Sequence, residues 1–324
     1  MNWQEVASRF LDWKFGRSCH HLGLVRETRY CRLMSVEVNR VPFIGQWIVK
    51  FVMPEEIDED GCSLAEFFNT TTDFFRGQLR ALGVPLSKEY LFDIFEGYAV
   101  QTSSDEGLDC EQRLADDPKV VEILTAIMKA MQGVLDQSKP LVGLDSRLSN
   151  FCGQAVYTDT FPPLCYYQNQ YLIHYPNPTD EETVRLEVAR KFEPFGILRR
   201  LRFSLVRINP IWLEEFDQAL DIIAEPLRSQ IRDFFATIPN GSLQKMSGEE
   251  VLNLVETLPD SDVEAYREIA ALLIPLADTN RSDLLQQIFD LTSMVPLPHL
   301  PPREQRLATY RQILTSYLRV PIGA

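Results

Sequence analysis

The chain has 324 residues, 45% of them hydrophobic and 24% charged, with 32 basic against 46 acidic side chains and a net charge of −14. This length exceeds one compact domain and reads as two cores or one two-lobed body, while the acidic balance disfavours broad attachment to nucleic acid or anionic membranes. No stretch reaches the ~18 uninterrupted apolar residues of a membrane span, and Glu5, Arg9 and Asp12 interrupt the would-be apolar core of a secretory leader, so a cytoplasmic protein is expected.

In chain order, residues 1–15 predict an amphipathic helix with Trp3, Val6, Phe10 and Trp13 on one face. From Leu22 to about Met53, "RYCRLMSVEV" and "QWIVKFVM" are rich in β-branched and aromatic residues and predict two or three antiparallel strands, closed by the acidic loop "PEEIDEDG". A helix is predicted from Ser63 to Leu82, opened by a Ser63/Glu66 capping box and stopped at Gly83. "KEYLFDIFEGYAVQTS" follows as a strand pair or as one strand running into a connection, and Thr102 to Asp117 reads as a polar, acidic link.

Residues 118–137 then predict a helix, with Pro118 in its first turn and Val120, Ile123, Leu124, Ile127, Met131 and Val134 at helical spacing. The stretch "VGLDSRLSNFCGQAVYTDTFPP" comes next, a loop and a short apolar hairpin carrying Asp145, Asn150 and Asp159. Residues 180–324 are nearly all helical in pattern, broken at "ATIPNGS", "TLPDSD" and the proline-rich connector "MVPLPHLPPRE". Within them "RKFEPFGILRRLRFSLVR" gathers Arg190, Lys191, Arg199, Arg200, Arg202 and Arg207, which reads as the solvated face of a helix, with a phosphate or partner contact as the alternative. The six cysteines form no C-x-x-C pair and read as reduced thiols, and the spacing in "SCHH" fits no common zinc pattern.

An acid, an amide and a second acid at this spacing suit phosphoryl transfer, which needs oxygen ligands for a metal, a carboxylate to orient the attacking hydroxyl and a cation on the nucleotide phosphates. "DSRLSN" resembles the D-x-x-x-x-N of the protein-kinase-like fold, and "FCGQAVYTD" resembles the hairpin that leads to its metal-binding Asp. The chain is most similar to the compact kinase-like proteins of the aminoglycoside and choline phosphotransferase type. The order of elements agrees from about residue 14 to about residue 165, and the later helices agree only in class.

This resemblance implies an α+β, two-lobed kinase-like fold: a small antiparallel-sheet lobe over residues 1–101 and a larger, mainly helical lobe over 102–324, with the catalytic loop at 143–163. It implies ATP and Mg2+ as cofactors and a small-molecule hydroxyl as acceptor. Lys50, at the end of "WIVK", is expected to hold the nucleotide phosphates, with Glu66 or Asp73 as its acidic partner; Asp145 is expected to orient the acceptor, with Arg147 beside the transferred phosphate, and Asn150 and Asp159 to hold the metal. Three departures favour an alternative, a catalytically weak or inactive kinase-like binding or scaffold protein with a protein partner at its C-terminal helices. Gly143 stands where the family has His or Tyr, Thr160 and Phe161 follow the metal Asp, and no G-x-G-x-x-G occurs in the first fifty residues, leaving Gly16 and Gly23 as candidates for a phosphate-covering loop.

Overall fold

The computed structural model describes residues 3–16, 19–27, 31–39, 45–52, 61–88, 90–116, 119–173, 177, 179, 181–209, 212–237 and 308. The chain adopts the expected α+β class, with an antiparallel sheet in its N-terminal part and helices later. It forms two compact units, one of Met1–Cys110, Ala130–Leu144 and Asn150–Pro178, the other of Glu111–Lys129, Asp145–Ser149 and Thr179–Ala324.

The first unit is built on a five-stranded sheet of β1 (Cys19–Glu27), β2 (Cys31–Val38), β3 (Gly45–Val52), β4 (Tyr90–Phe95) and β5 (Tyr98–Ser104), in the order β1-β2-β3-β5-β4. Every neighbouring pair is antiparallel. Successive side chains on a strand point to opposite faces, so β3 offers Trp47, Val49 and Phe51 to one side and Ile48 and Lys50 to the other. Helix α1 (Trp3–Phe15) covers the first side: Val6, Ala7, Phe10, Leu11 and Phe15 pack with Met34, Val36, Val38, Trp47, Val49, Phe51, Tyr98 and Val100. Each fully buried Phe in this cluster contributes about 2 kcal/mol.

Trp13, expected on the buried stripe, is 59% exposed. The stripe runs through Val6, Ala7, Phe10 and Leu11, which turns residue 13 to the rim, where its ring meets Phe10 and Phe95 at centroid distances of 5.8 and 5.4 Å. Gly16 ends α1 at a φ of 68°, and Gly23 lies inside β1 at a register shift, so the stretch from Cys19 to Gly23 is strand rather than a phosphate-covering loop.

Between β3 and β4, helix α2 (Gly61–Ala81) starts two residues before the expected cap, which leaves Ser63 inside the helix; the side chains of Ser63 and Glu66 lie outside the described part. Its end is as expected. Gly83 adopts a φ of 79°, and the amides of Gly83 and Val84 donate to the carbonyls of Arg80 and Leu79 at 3.0 Å, the bond pair of a Schellman stop. "YLFDIFEGYAVQTSS" is a strand pair, β4 and β5, turning at Glu96 and Gly97. The polar link beyond it holds a short helix that its composition did not announce, α3 (Cys110–Asp116).

Helix α4 (Val120–Leu135) carries the predicted apolar face, and Val120, Ile123, Leu124, Ile127, Met131 and Val134 are all buried. Two small hairpins follow, β6 (Phe151–Cys152) with β7 (Val156–Tyr157) and β8 (Cys165–Tyr167) with β9 (Gln170–Leu172). In the second unit α6 (Pro194–Ile208) packs against α5 (Glu181–Lys191), α7 (Leu213–Ala219) and α8 (Leu227–Thr237). The breaks expected at "TLPDSD" and "MVPLPHLPPRE", and all but the start of "ATIPNGS", lie outside the described residues. Among the described residues no helix is long and apolar enough to cross a membrane.

Gly133 marks a close helix approach in the first unit, since a Cβ there would stand 1.9 Å from the Leu82 carbonyl oxygen at the end of α2. Backbone against backbone cannot yield as a side chain can, so Gly133→Ala is expected to cost about 1–3 kcal/mol. Thermal unfolding checks this, and an unchanged melting temperature would show that α4 does not approach α2 so closely.

Candidate functional site

Lys50 leaves β3 on the face opposite α1, with Leu33 of β2 and Gln101 of β5 as its cross-strand neighbours. Its ammonium donates to Oδ1 of Asp159 at 2.9 Å and to the carbonyl of Phe161 at 2.7 Å. Asn150 Nδ2 donates to the other carboxylate oxygen, Oδ2, at 3.2 Å. Three of the expected residues, 109 and 9 positions apart along the chain, thus form one hydrogen-bonded set.

The β6–β7 hairpin closes the shorter interval. Phe151 pairs with Tyr157, and the Asn150 carbonyl accepts from the Thr158 amide at 2.9 Å and from its hydroxyl at 3.2 Å. The turn passes through positive φ at Gly153 and Ala155, and Asn150 and Asp159 emerge side by side at its open end.

Each residue from 159 to 161 is held by the sheet, and two of the three by α2 as well. Asp159 takes Lys50 of β3. Thr160, fully buried, accepts through Oγ1 from Arg76 of α2 at 3.2 Å and from Gln101 of β5 at 3.4 Å. The Phe161 ring stands 5.1 Å from Phe68 of α2 and 5.0 Å from Phe92 of β4, in a small cluster with Ala99. The departure at Thr160 and Phe161 is therefore a built feature: the hydroxyl ties the segment to α2 and β5, and the ring one position later supplies the packing.

Asp73 lies elsewhere than expected. The buried side of α2 runs through Phe68, Thr71, Thr72, Phe75, Arg76 and Leu79, which places Asp73 on the exposed side, while Lys50 pairs with Asp159. The side chain of Glu66 lies outside the described part of α2.

Asp145 and Arg147 belong to the second unit, where α6 organises the loop around them. The Ser146 hydroxyl donates to the Ile197 carbonyl at 2.5 Å, and the Leu148 amide donates to Ser204 Oγ at 3.0 Å. Between these anchors Arg200, on the same side of the helix, donates through Nε to Asp145 Oδ1 at 2.5 Å and through Nη2 to Oδ2 at 3.3 Å. Arg147 grips the same carboxylate with Nε at 3.0 and 3.1 Å and with Nη2 at 2.5 Å. Asp145 is 6% exposed.

Burial alone would push the Asp145 carboxyl up, but the charges and hydrogen bonds of Arg147 and Arg200 outweigh it and hold the group well below the usual carboxylate range. Glu187 of α5 follows the same pattern: burial opposes ionisation, and Lys191 at 2.8 Å with Arg190 at 3.2 Å holds the carboxylate ionised. The basic run is therefore not a solvated face, since Lys191, Arg200 and Arg202 are all buried. Sequence reading missed Arg200 as the partner of Asp145. The available signal was an Arg and a Ser four apart, on one side of the helix. Burial pushes the thiols of Cys152 and Cys165 up to about 12, which removes them as nucleophiles at neutral pH.

The oxygens of Asp159 and of the Asn150 amide suit a hard cation such as magnesium, which completes its shell with water and phosphate. Lys50 supplies a point charge for phosphate. Among the described residues no group of three or more His, Cys, Asp and Glu side chains stands ready for a metal held by protein alone.

No family model matches the chain. No curated protein matches it either. Among solved structures the chain is similar to the PknI kinase domain of Mycobacterium tuberculosis, with 14% identity, 57% of this chain and 70% of that chain covered, and a TM-score of 0.31. A singly substituted form of that domain gives 14% identity, 59% and 73% coverage and a TM-score of 0.35, and a doubly substituted form gives 14%, 81% and 97%, and 0.36.

Proposed function

We propose that the chain is a kinase-like, ATP- and magnesium-dependent phosphotransferase that acts on the hydroxyl of a small molecule in the cytoplasm. The observation that carries this reading is the set Lys50, Asp159 and Asn150, in which one cation and two oxygen donors meet although they come from β3 and from both ends of the β6–β7 hairpin. The order of elements supports it: a lysine on the third strand, then α2, later α4, then D-x-x-x-x-N, a hairpin and a second Asp. Lys50 holds nucleotide phosphate. Asn150 and Asp159 hold the metal, which when bound neutralises phosphate charge.

Asp145 orients the acceptor hydroxyl. A carboxylate clamped by two guanidinium groups is a weak base, so its part is chiefly to fix the direction of attack, and it accepts the proton only as the new bond forms. The same clamp favours a second reading, a nucleotide-binding kinase-like protein without turnover, in which Asp145 serves as an ion-pair hub for α6.

Two measurements test these readings. Asp159→Asn is expected to abolish the magnesium dependence of ATP binding, while Asp145→Asn keeps ATP binding and lowers turnover by ~10²; ATP affinity that is the same with magnesium and with a chelator in the wild-type chain sinks the metal assignment. Wild-type chain that binds ATP with magnesium yet transfers phosphate to no acceptor in a broad panel selects the second reading. The clamp itself is read by pH. The Asp145 pKa lies below its ordinary 3.8 in the folded chain, so its contribution is complete above that value and disappears as pH falls through the lower, folded one. Asp145→Asn is expected to cost about 3 kcal/mol near neutral pH, with the gap to wild type closing below about pH 4. A gap that stays constant down to about pH 2 would show that the ion pairs contribute nothing to stability.

A further inference from the structure

Lys50 holds both neighbours of Thr160, since its ammonium donates to the Asp159 carboxylate at 2.9 Å and to the Phe161 carbonyl at 2.7 Å. In the proposed phosphotransferase a bound nucleotide draws that ammonium toward its phosphates. The Lys50–Asp159 pair is partly exposed and therefore screened, so it exchanges readily for such a ligand. The same exchange removes a hold on Asp159 at the moment when a metal needs its carboxylate in one place. Another contact must then aim the segment.

Arg76 of α2, buried at 1% exposure, supplies it. Its Nη1 donates to Thr160 Oγ1 at 3.2 Å, and its Nη2 donates to the Ser87 carbonyl, between α2 and β4, at 2.9 Å. A guanidinium is planar, so the bond to Ser87 fixes the direction of the bond to Thr160. Gln101 Nε2 adds a longer contact to the same hydroxyl oxygen, at 3.4 Å. Thr160 is fully buried, so bulk water does not stand ready to replace these donors, and losing one leaves a desolvated acceptor behind. The Phe161 ring sits in its apolar cluster, but that attraction is non-directional and leaves the chain beside it to be aimed by hydrogen bonds.

We propose that Arg76 is a positioning residue for the metal site: through Thr160 it keeps the Asp159 carboxylate in place when Lys50 turns to a ligand. Arg76 itself touches neither nucleotide nor metal in this role. The effect on magnesium rests on the phosphotransferase reading; the hold on residues 159–161 does not.

Amide hydrogen exchange of residues 158–161 in the full chain tests the hold without any ligand, because Lys50→Met removes the ammonium as ligand exchange would. Lys50→Met alone is expected to leave exchange slow, and Lys50→Met with Thr160→Val to speed it roughly tenfold or more. Thr160→Ser, which keeps the hydroxyl, is expected to stay slow in the same background. Full release by Lys50→Met alone, or equal exchange with Val and Ser, overturns the hold. In that background Arg76→Met is expected to release the segment more than Gln101→Met does. The reverse order assigns the hold to β5 and overturns the role of Arg76; where Arg76→Met does not fold, full release by Gln101→Met does the same, and a segment still slow in Gln101→Met supports Arg76. A magnesium titration read by thermal shift, with a saturating non-hydrolysable ATP analogue, tests the metal role. Thr160→Val in the otherwise wild-type chain is expected to raise the magnesium midpoint about tenfold to a hundredfold, with affinity for the analogue in chelator unchanged. Thr72→Val makes the same exchange of hydroxyl for methyl one turn before Arg76, at a buried oxygen with no hydrogen-bond partner among the described residues, and is expected to change neither. A magnesium midpoint that Thr160→Val leaves in place overturns the metal role. Wild type that does not bind the analogue, or binds it without response to magnesium, removes the phosphotransferase reading and the metal role with it, and hydrogen exchange still judges the hold.

Discussion

The two-residue alternation of β3 is the constraint on which the first unit depends. Trp47, Val49 and Phe51 must face α1 to close the core, and once they do, Lys50 is delivered to the opposite face beside Gln101. A slip of one residue would bury the ammonium under α1 and expose the aromatic residues. The same strand thus provides the core and the cation, and the apolar side specifies the position of the polar one. Gln101 and Phe92, on that second face, then meet Thr160 and Phe161, so the segment after Asp159 docks on the sheet that carries Lys50.

Docking by three successive residues makes the Asp159 carboxylate a fixed group. Its neighbour Thr160 is tied to two elements through one oxygen, and Phe161 is packed among aromatic rings. Preorganisation of this kind lowers the reorganisation that a phosphate or metal ligand would otherwise demand. In the second unit the same economy appears on α6, where the Ile197 carbonyl, Arg200 and Ser204 hold Ser146, Asp145 and Leu148 from one side of a single helix.

The energetics of the two sets differ in kind. Lys50 and Asp159 are partly exposed, with side chains 17% and 25% accessible, so their attraction is screened and easily exchanged for a ligand. Asp145 and Arg200 are each 9% accessible, and breaking either partner would strand a desolvated charge. The first set is suited to opening for a ligand. The second is suited to staying closed around a carboxylate.

Much of this was legible in the sequence. Period and composition identified α1, the strands β2 and β3, α2, strand structure in the β4–β5 region and α4, because each buries one face and local pattern records which face that is; the first half of β1 read instead as a loop. The interval from Asp145 to Asn150 and the hairpin to Asp159 were likewise readable, since the pairing of Phe151 with Tyr157 is a matter of a few residues. What the chain's pattern could not hold were contacts between distant segments. The same helical face that predicts Trp13 as core also admits Ala7 and Leu11, and only the shape of the sheet decided that Trp13 lies at the rim. Asp73 lies on the exposed side of α2, and Lys50 meets an acid 109 residues away, Asp159, because side-chain reach is settled by docking and not by spacing. The arginines of α6 read as solvated because charge usually is. Tertiary packing against α5, α7 and α8 buried Arg200, and a buried guanidinium must find an anion, which gave Asp145 a partner 55 residues along the chain.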